Sequence, residues 1–590
     1  MNPSPRHFLR TLTIALCLIG LTAPVWAQGR RSKLDKVLRE ARTRGSVQRV
    51  IIQTRAGSRA ALKRALQQHG DVVRDEHPGL NALTVDLHGE DLAALDADPS
   101  VLAVSIDAEV TAFGAGTPNG RKAPRLSEPS RDRKPARPGG LKPQVREELR
   151  DTLGLSLVPF AGNGINVAVV DSGITATRDL APNIHGFWDF TRGGIASRPR
   201  DAYGHGTHVA GLIASTGYES NGEFAGVAPA TRLYGFKVLD ELGRGRASDV
   251  VKALEFIVAN RKSTAPGALK IDIINLSLGH PIYEPAESDP LVRAVENAVR
   301  AGIVVVTAAG NKGVGADGDP GYTGITSPGN APSAITVGAL DSRNTQRVND
   351  DRVASFTSRG PTWFDGFAKP DLMAPGVALT SDAPRLSSLF ALYPQLRTLA
   401  RSGRGQYGTL SGTSMASAVA TGVASLVLQA SRTANTDGPA LSPNALKAVL
   451  QYTALSLKSE SGRSYGPLIQ GTGGINARGA IVLALAINTD MPVGSPWLRA
   501  RPQPYTFLGG SVTPWSQALL WDDNIVWGTD ALSFNSPQWD DNIVWGTSLG
   551  DDDNIVWGTA ADVDNIVWGT ATGWAADLVW NNRILGLMQG

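Results

Sequence analysis

The stretch INVAVVDSGI, residues 165–174, decides how this chain is read. Ile165, Val167, Ala168, Val169 and Val170 make a near-continuous apolar run, the pattern of a strand buried on both faces, and such strands belong to parallel sheets covered by helices. Asp171 comes next, followed by Ser172 and Gly173. That is the carboxyl edge of the strand, where an open α/β sheet gathers its working groups.

The same signature recurs outward from there. IDIINLSL (271–278), IVVVTAA (303–309) and AITVGAL (334–340) read as buried strands. Helical stretches separate them: one from Gly206, and one over PLVRAVENAVRAG (290–302), where Pro290 suits a first turn and Gly302 a C-terminal cap. Ser442-Pro443 opens another by the same logic. The alternation predicts an α/β domain with a mainly parallel sheet over about 143–487.

Three other regions precede it. The start, MNPSPRHFLRTLTIALCLIGLTAPVWAQ, has basic residues, an apolar run from Leu12 to Leu21 and a small-residue exit at Val25-Trp26-Ala27. It reads as a signal peptide over 1–27, since the run is shorter than the roughly 20 residues of a spanning helix. A secreted protein is expected. The single cysteine, Cys17, lies inside it, so a mature chain would carry no disulfide. From 47 to 113, strand-like and helix-like runs alternate (VQRVIIQT, RAALKRALQQHG, NALTVDL, VLAVSIDAEV), predicting a small α+β domain. Residues 114–142 are rich in Pro, Gly and Arg; without interleaved aromatics they read as a solvated linker, not a nucleic-acid surface. A net charge of +3 over 590 residues likewise gives no overall field for nucleic acid or membrane.

The tail, 488–590, differs in composition. It holds ten of the 13 tryptophans and four copies of DNIVWGT, whose asparagines are 18, 12 and 11 residues apart. Unequal spacing argues against a rigid solenoid, and exposed Ile-Val-Trp segments call for some partner surface. A retention or interaction tail with a cell-surface or protein partner is expected.

The chemistry gathers at the strand ends and helix starts. Asp171 ends one strand; His205 sits between glycines in YGHGTHVAG; Gly310-Asn311 ends another strand; Ser414 opens the long small-residue helix of LSGTSMASAVATGVASLVL (410–428). Together they supply a carboxylate, a base, an amide donor and a nucleophile, in the chain order Asp, His, Ser. Each fragment alone has a bland reading, as a helix cap, a packed histidine or a turn. Their conjunction points to acyl transfer.

At this point the chain resembles the subtilisin-like serine peptidases, through VAVVDSGI, HGTHVAG, NLSLG, AAGNKG, SRGPT, KPDLMAPG and SGTSMAS in that order. The resemblance implies a three-layer α/β fold and peptide-bond hydrolysis through an acyl-enzyme. It would make Ser414 the nucleophile, His205 the general base, Asp171 its orienting partner, and Asn311 with the Ser414 N–H the oxyanion donors. It implies a cleft whose walls are Ser277-Leu278-Gly279 and Gly243-Arg244-Gly245, pairing with an extended protein or peptide substrate as an added strand. Arg244 and Arg246 would favour acidic substrate side chains if they face them, although exposed arginines are more often just solvated. Ser327-Pro328 becomes a candidate cis bond and His208 a packing residue.

The 47–113 domain then resembles the family's inhibitor-type, ferredoxin-like propeptide, which would make the protein a zymogen cut between Ala112 and Arg150 and inhibited by its own leader. No cofactor is required for the chemistry; structural calcium is compatible with the family, but the metal ligands are unknown from sequence. One departure stands out: Ala418 and Val419 follow SGTSMAS where the family usually has Pro and then His, which is expected to alter packing and spare the chemistry. The alternative is a catalytically degenerate surface binding protein whose repeat tail carries the function.

Overall fold

The computed structural model describes residues 32–41, 47–112, 149–315, 319–521, 524–527, 532–536 and 539. The expected signal segment 1–27, the linker 114–142 and the later DNIVWGT repeats lie outside the described residues.

A short helix α1 (Lys36–Ala41) precedes β1 (Gln48–Thr54), α2 (Arg59–His69), β2 (Val72–His77), β3 (Ala82–Leu87), α3 (Leu92–Ala97) and β4 (Val101–Ile106). The four strands form an antiparallel sheet in the order β2-β3-β1-β4, the ferredoxin-like arrangement. The two-residue period of β1 serves two cores at once. Val50 and Ile52 pack with Leu62 and Leu66 of α2, while Ile51 points the other way, into the core of the larger body. This unit is therefore docked through its sheet, not tethered beside its neighbour.

β5 (Glu109–Ala112) leaves the unit and enters the larger body. There β6 (Asn166–Asp171), β7 (Ile184–Asp189), β8 (Ile195–Ala196), α4 (His205–Ala214), β9 (Arg232–Lys237), β10 (Arg244–Arg246), α5 (Ala247–Lys262), β11 (Ile273–Leu276), β12 (Leu278–Gly279), α6 (Pro290–Arg300), β13 (Val304–Ala308), β14 (Ile335–Asp341), β15 (Arg352–Val353), β16 (Leu372–Pro375) and α7 (Thr413–Ala434) follow in order. β16, β14, β13, β11, β6, β9 and β7 run parallel, and β15 and β8 pair antiparallel with β14 and β7.

The opening stretch shows why three layers form. Val167 and Val169 of β6 face α4 and α7, whereas Ala168 and Val170 face α5 and α6. An apolar residue at every position is what a sheet covered on both sides requires. α6 is fixed as the sequence predicts: Asp289 accepts from the Leu291 N–H at 2.8 Å, Pro290 fills the first turn, and Gly302 adopts φ 77° after the helix. Ser442 Oγ accepts from the Ala445 N–H at 3.2 Å at the start of α8 (Pro443–Tyr452). The Ser327–Pro328 bond is cis.

α7 is long and apolar enough to cross a membrane, yet almost all of it is enclosed by the sheet, α4 and α9 (Ala477–Ala486). The same core extends past residue 487, taking in Trp497, Trp515 and Leu519. Within the first DNIVWGT copy, β18 (Asn524–Trp527) pairs antiparallel with β17 (Ala518–Trp521).

Candidate active site

β6 delivers Asp171 at its carboxyl end, and the first turn of α4 delivers His205 beside it. His205 Nδ1 lies 2.8 Å and 3.0 Å from the two Asp171 oxygens. The Ser172 N–H donates to Asp171 Oδ1 at 2.7 Å, holding the carboxylate in place. With Nδ1–H committed to Asp171, the lone pair of the neutral imidazole is on Nε2, the tautomer a general base needs. The glycines around His205 have a steric reason. A Cβ on Gly206 would sit 2.2 Å from the Gly173 carbonyl oxygen and 3.0 Å from Asp171 Cβ, so only glycine lets α4 begin this close to β6.

Ser414 occupies the first turn of α7, where backbone N–H groups have no intrahelical acceptor. Its hydroxyl donates to the Ser277 carbonyl at 3.0 Å. The Ser277 side chain in turn bonds Asn275 Oδ1 at 2.9 Å and Ser417 Oγ at 2.8 Å. Asn311 is tied to the same helix start: its Oδ1 accepts from the Thr413 N–H and Oγ1, both at 3.0 Å. With the amide oxygen so used, the NH2 half is the part left to donate beside Ser414.

The two walls named from sequence enclose a third strand. β5 runs between β10 and β12, antiparallel to both: Thr111 lies opposite Arg244, Val110 opposite Gly245, Ala112 opposite Leu278 and Thr111 opposite Gly279. The Ala112 N–H donates to the Gly243 carbonyl at 3.1 Å. Gly243 adopts φ 73°, and a Cβ there would lie 2.5 Å from the Tyr203 ring, which fixes that wall as glycine. Side chains alternate along β5, with Val110 fully buried and Glu109 exposed. Ser414 and His205 are buried as well, at 0 and 1% exposure. So β5, which leaves the chain's own N-terminal unit, pairs with both walls of the candidate cleft.

Residues 162–473, more than half of the chain, match the subtilase family. This chain belongs to that family. It is 41% identical over 324 residues to the serine protease AprX of Bacillus subtilis, covering 55% of this chain and 67% of that one. It is 30% identical over 468 residues to an alkaline protease of Shouchella clausii, covering 79% and 97%. Among solved structures it resembles fervidolysin from Fervidobacterium pennivorans, a keratinolytic enzyme related to subtilisin, with a TM-score of 0.53 and 21% identity over 76% of this chain and 62% of that one. It is accordingly a subtilisin-like serine peptidase with a three-layer α/β fold, acting on proteins or peptides.

The structure of this subtilase also shows what the sequence did not single out. Asp201, buried, receives hydrogen bonds from Ser172 Oγ (2.9 Å), the Gly204 N–H (2.7 Å), and the Thr207 N–H and Oγ1 (2.8 and 2.7 Å). It thereby fixes the start of α4 and, through Ser172, the strand end that carries Asp171. Burial raises its pKa, the hydrogen bonds from Gly204 and Thr207 oppose the rise, and nearby Asp171 adds to it. The signal available was an Asp four residues before His205 with a Thr two after it, the pattern of a helix-start clamp.

His208 packs as expected: its Nε2 lies 3.1 Å from the Leu379 carbonyl and 3.0 Å from that of Gly408. Burial, then the charge of His205, push it down to about 3, so it stays neutral. Ala418 and Val419 are fully buried within an unbroken α7. Arg246 donates to the Asp107 carbonyl, next to β4, at 3.1 Å, a use of that arginine distinct from reading an acidic side chain.

Proposed function

We propose that this subtilase is a secreted endopeptidase made as a self-cleaving precursor, with Asp171, His205 and Ser414 as its triad and residues 47–112 as its inhibitor. The observation that carries the reading is β5, the leader's last described strand, seated between the two cleft walls one residue short of the Ser277 carbonyl that holds the Ser414 hydroxyl.

In the reaction, the substrate N–H takes over the Ser277 carbonyl and frees the Ser414 hydroxyl. His205 Nε2 accepts its proton as Oγ attacks the scissile carbonyl, and Asp171 stabilises the resulting imidazolium. The Asn311 amide and the Ser414 N–H receive the oxyanion, each such donor contributing about 3 kcal/mol in the transition state. His205 then protonates the leaving amine, and water repeats the sequence on the acyl-enzyme. These residues supply every group the reaction needs.

The register gives the first cut. Ala112 lies opposite Leu278, so a peptide continuing antiparallel places its next residue opposite Ser277, beside Ser414. The bond between Phe113 and Gly114 is the expected site. Sequencing the mature N terminus should return Gly114 or a later, trimmed position. A sole product beginning at or before Phe113 would contradict the register.

Release of the inhibitor should depend on pH. Asp249, on α5, is pushed up to about 6, mainly by burial, then by Asp107 of the leader, with Asp75 adding and Lys252 and Arg49 opposing. Asp107 is itself raised by burial, and Glu284 is raised by burial, Asp289 and Asp35 of the leader. Separation returns these carboxylates to water, so the complex binds more protons than its parts. Affinity then tightens as pH falls through about 6 and weakens above it. Release from the cleaved complex should be several-fold slower at about pH 5 than at about pH 8. Equal or faster release in acid would reject this.

The DNIVWGT tail is proposed as a retention segment for a surface or protein partner, on composition alone.

A further inference from the structure

A second cluster of metal-ligating side chains lies in the N-terminal unit. His69 ends α2, Asp71 follows the left-handed Gly70 that caps it, and His88 and Asp91 bracket the turn after β3. Hence four potential donors from two chain segments meet at one end of the unit, all within 4.8 Å of one another.

The donor spacing is specific. His69 Nδ1 is 3.8 Å from Asp71 Oδ2 and 3.3 Å from Asp91 Oδ2, and His88 Nδ1 is 2.9 Å from Asp71 Oδ1 and 4.0 Å from Asp91 Oδ2. Ligands on a tetrahedral ion with bonds of about 2.0–2.1 Å stand about 3.3 Å apart, so His69 and Asp91 already match, His88 and Asp71 must part slightly, and the wider pairs must close. An independent observation points the same way. The Asp71 side chain is wholly buried, yet its Oδ2 has no hydrogen-bond partner, and Asp91 Oδ2 is buried in the same condition. Both oxygens face His69 Nδ1, at 3.8 and 3.3 Å, without a hydrogen bond to it, and a cation held among the four groups would satisfy them.

We propose that His69, Asp71, His88 and Asp91 form a four-coordinate site for a divalent cation of the zinc class. Two imidazoles with two carboxylates suit zinc and cobalt, whereas calcium takes six to eight oxygens. The ion clips the α2–β2 turn to the turn after β3, joining residues 17 positions apart in a unit too small to have a large core of its own. The site stands apart from the Asp171, His205 and Ser414 cluster, and its existence is independent of the unit's inhibitory role.

The test uses the full precursor carrying Ser414→Ala, so that the leader stays attached. After chelator treatment, Zn2+ is titrated calorimetrically and Co2+ by visible absorption. One equivalent should bind, with the intense visible bands of a four-coordinate cobalt site. His69→Ala, an exposed position whose loss leaves the fold in place, should weaken binding by more than about tenfold, and His88→Ala with Asp91→Asn should abolish the bands. No stoichiometric binding by the folded precursor would overturn the proposal. So would unchanged affinity and spectrum in His69→Ala and in the double variant, which would put the ion elsewhere.

Discussion

Ser414→Ala is expected to lower peptidase activity by about six orders of magnitude and to leave the precursor uncut. In the proposed reaction its hydroxyl is the atom that becomes bonded to the acyl group, and no neighbouring oxygen stands in its place: Ser417 Oγ donates to the Ser414 carbonyl at 2.9 Å and Ser277 Oγ is engaged with Asn275. The fold should survive. Ser414 Oγ makes one hydrogen bond, to the Ser277 carbonyl, and alanine is a good residue for a helix first turn, so the cost is about 1 kcal/mol. Hydrolysis of a peptide substrate, the apparent melting temperature and the intact mass together check this. A melting temperature near that of the uncut precursor with activity at background is the expected pairing; activity within tenfold of wild type would remove Ser414 from the mechanism.

Asp171→Asn should cost about 10⁴ in kcat with KM little changed. The carboxylate accepts from His205 Nδ1 and from the Ser172 N–H on Oδ1, so both contacts require an acceptor. An asparagine amide that keeps its oxygen on Ser172 places its NH2 at the Oδ2 position, 3.0 Å from His205 Nδ1, where two donors would meet. The imidazole must then accept on Nδ1 and carry its proton on Nε2, where it can no longer take one from Ser414. Because the side chains are nearly the same size, the loss reports the tautomer and not a cavity. Equal losses in kcat/KM and kcat would support that; a loss confined to KM would mean that Asp171 acts through the shape of the cleft.

The sheet and the candidate triad were legible because they depend on short, contiguous patterns. A strand buried on both faces must be apolar at every buried position, as residues 167–170 are, and glycine must follow His205 because α4 begins against β6. What the sequence hid depends on packing between distant segments. Asp201 reads as an ordinary loop acid until Ser172, 29 residues earlier, is seen to donate to it. Asp107 is equally plain in sequence, yet its carboxylate accepts from the Ser248 N–H and Oγ at 2.9 Å, so a leader residue caps the start of α5. The helix that sequence places from Gly206 begins one residue earlier, with Gly204 as its cap. Trp497 and Trp515, counted with a compositionally distinct tail, share the core of α7 and α9, because composition records an excess of tryptophan but not what the rings pack against. The four proposed metal ligands are spread over 23 residues without a motif spacing, and only the turn that brings His88 back to Asp71 unites them.

The central claim is that Ser414 is an activated nucleophile in a cleft that the chain's own leader fills. The most direct measurement is labelling with a fluorophosphonate serine probe, on wild type and Ser414→Ala, followed by intact-mass analysis and mapping of the modified residue. The account predicts a single adduct at Ser414, in wild-type protein that has lost its leader, with Ser414→Ala unlabelled and still full length. A folded wild-type chain that stays unlabelled after its N-terminal unit is removed, or an adduct at another serine, would contradict it.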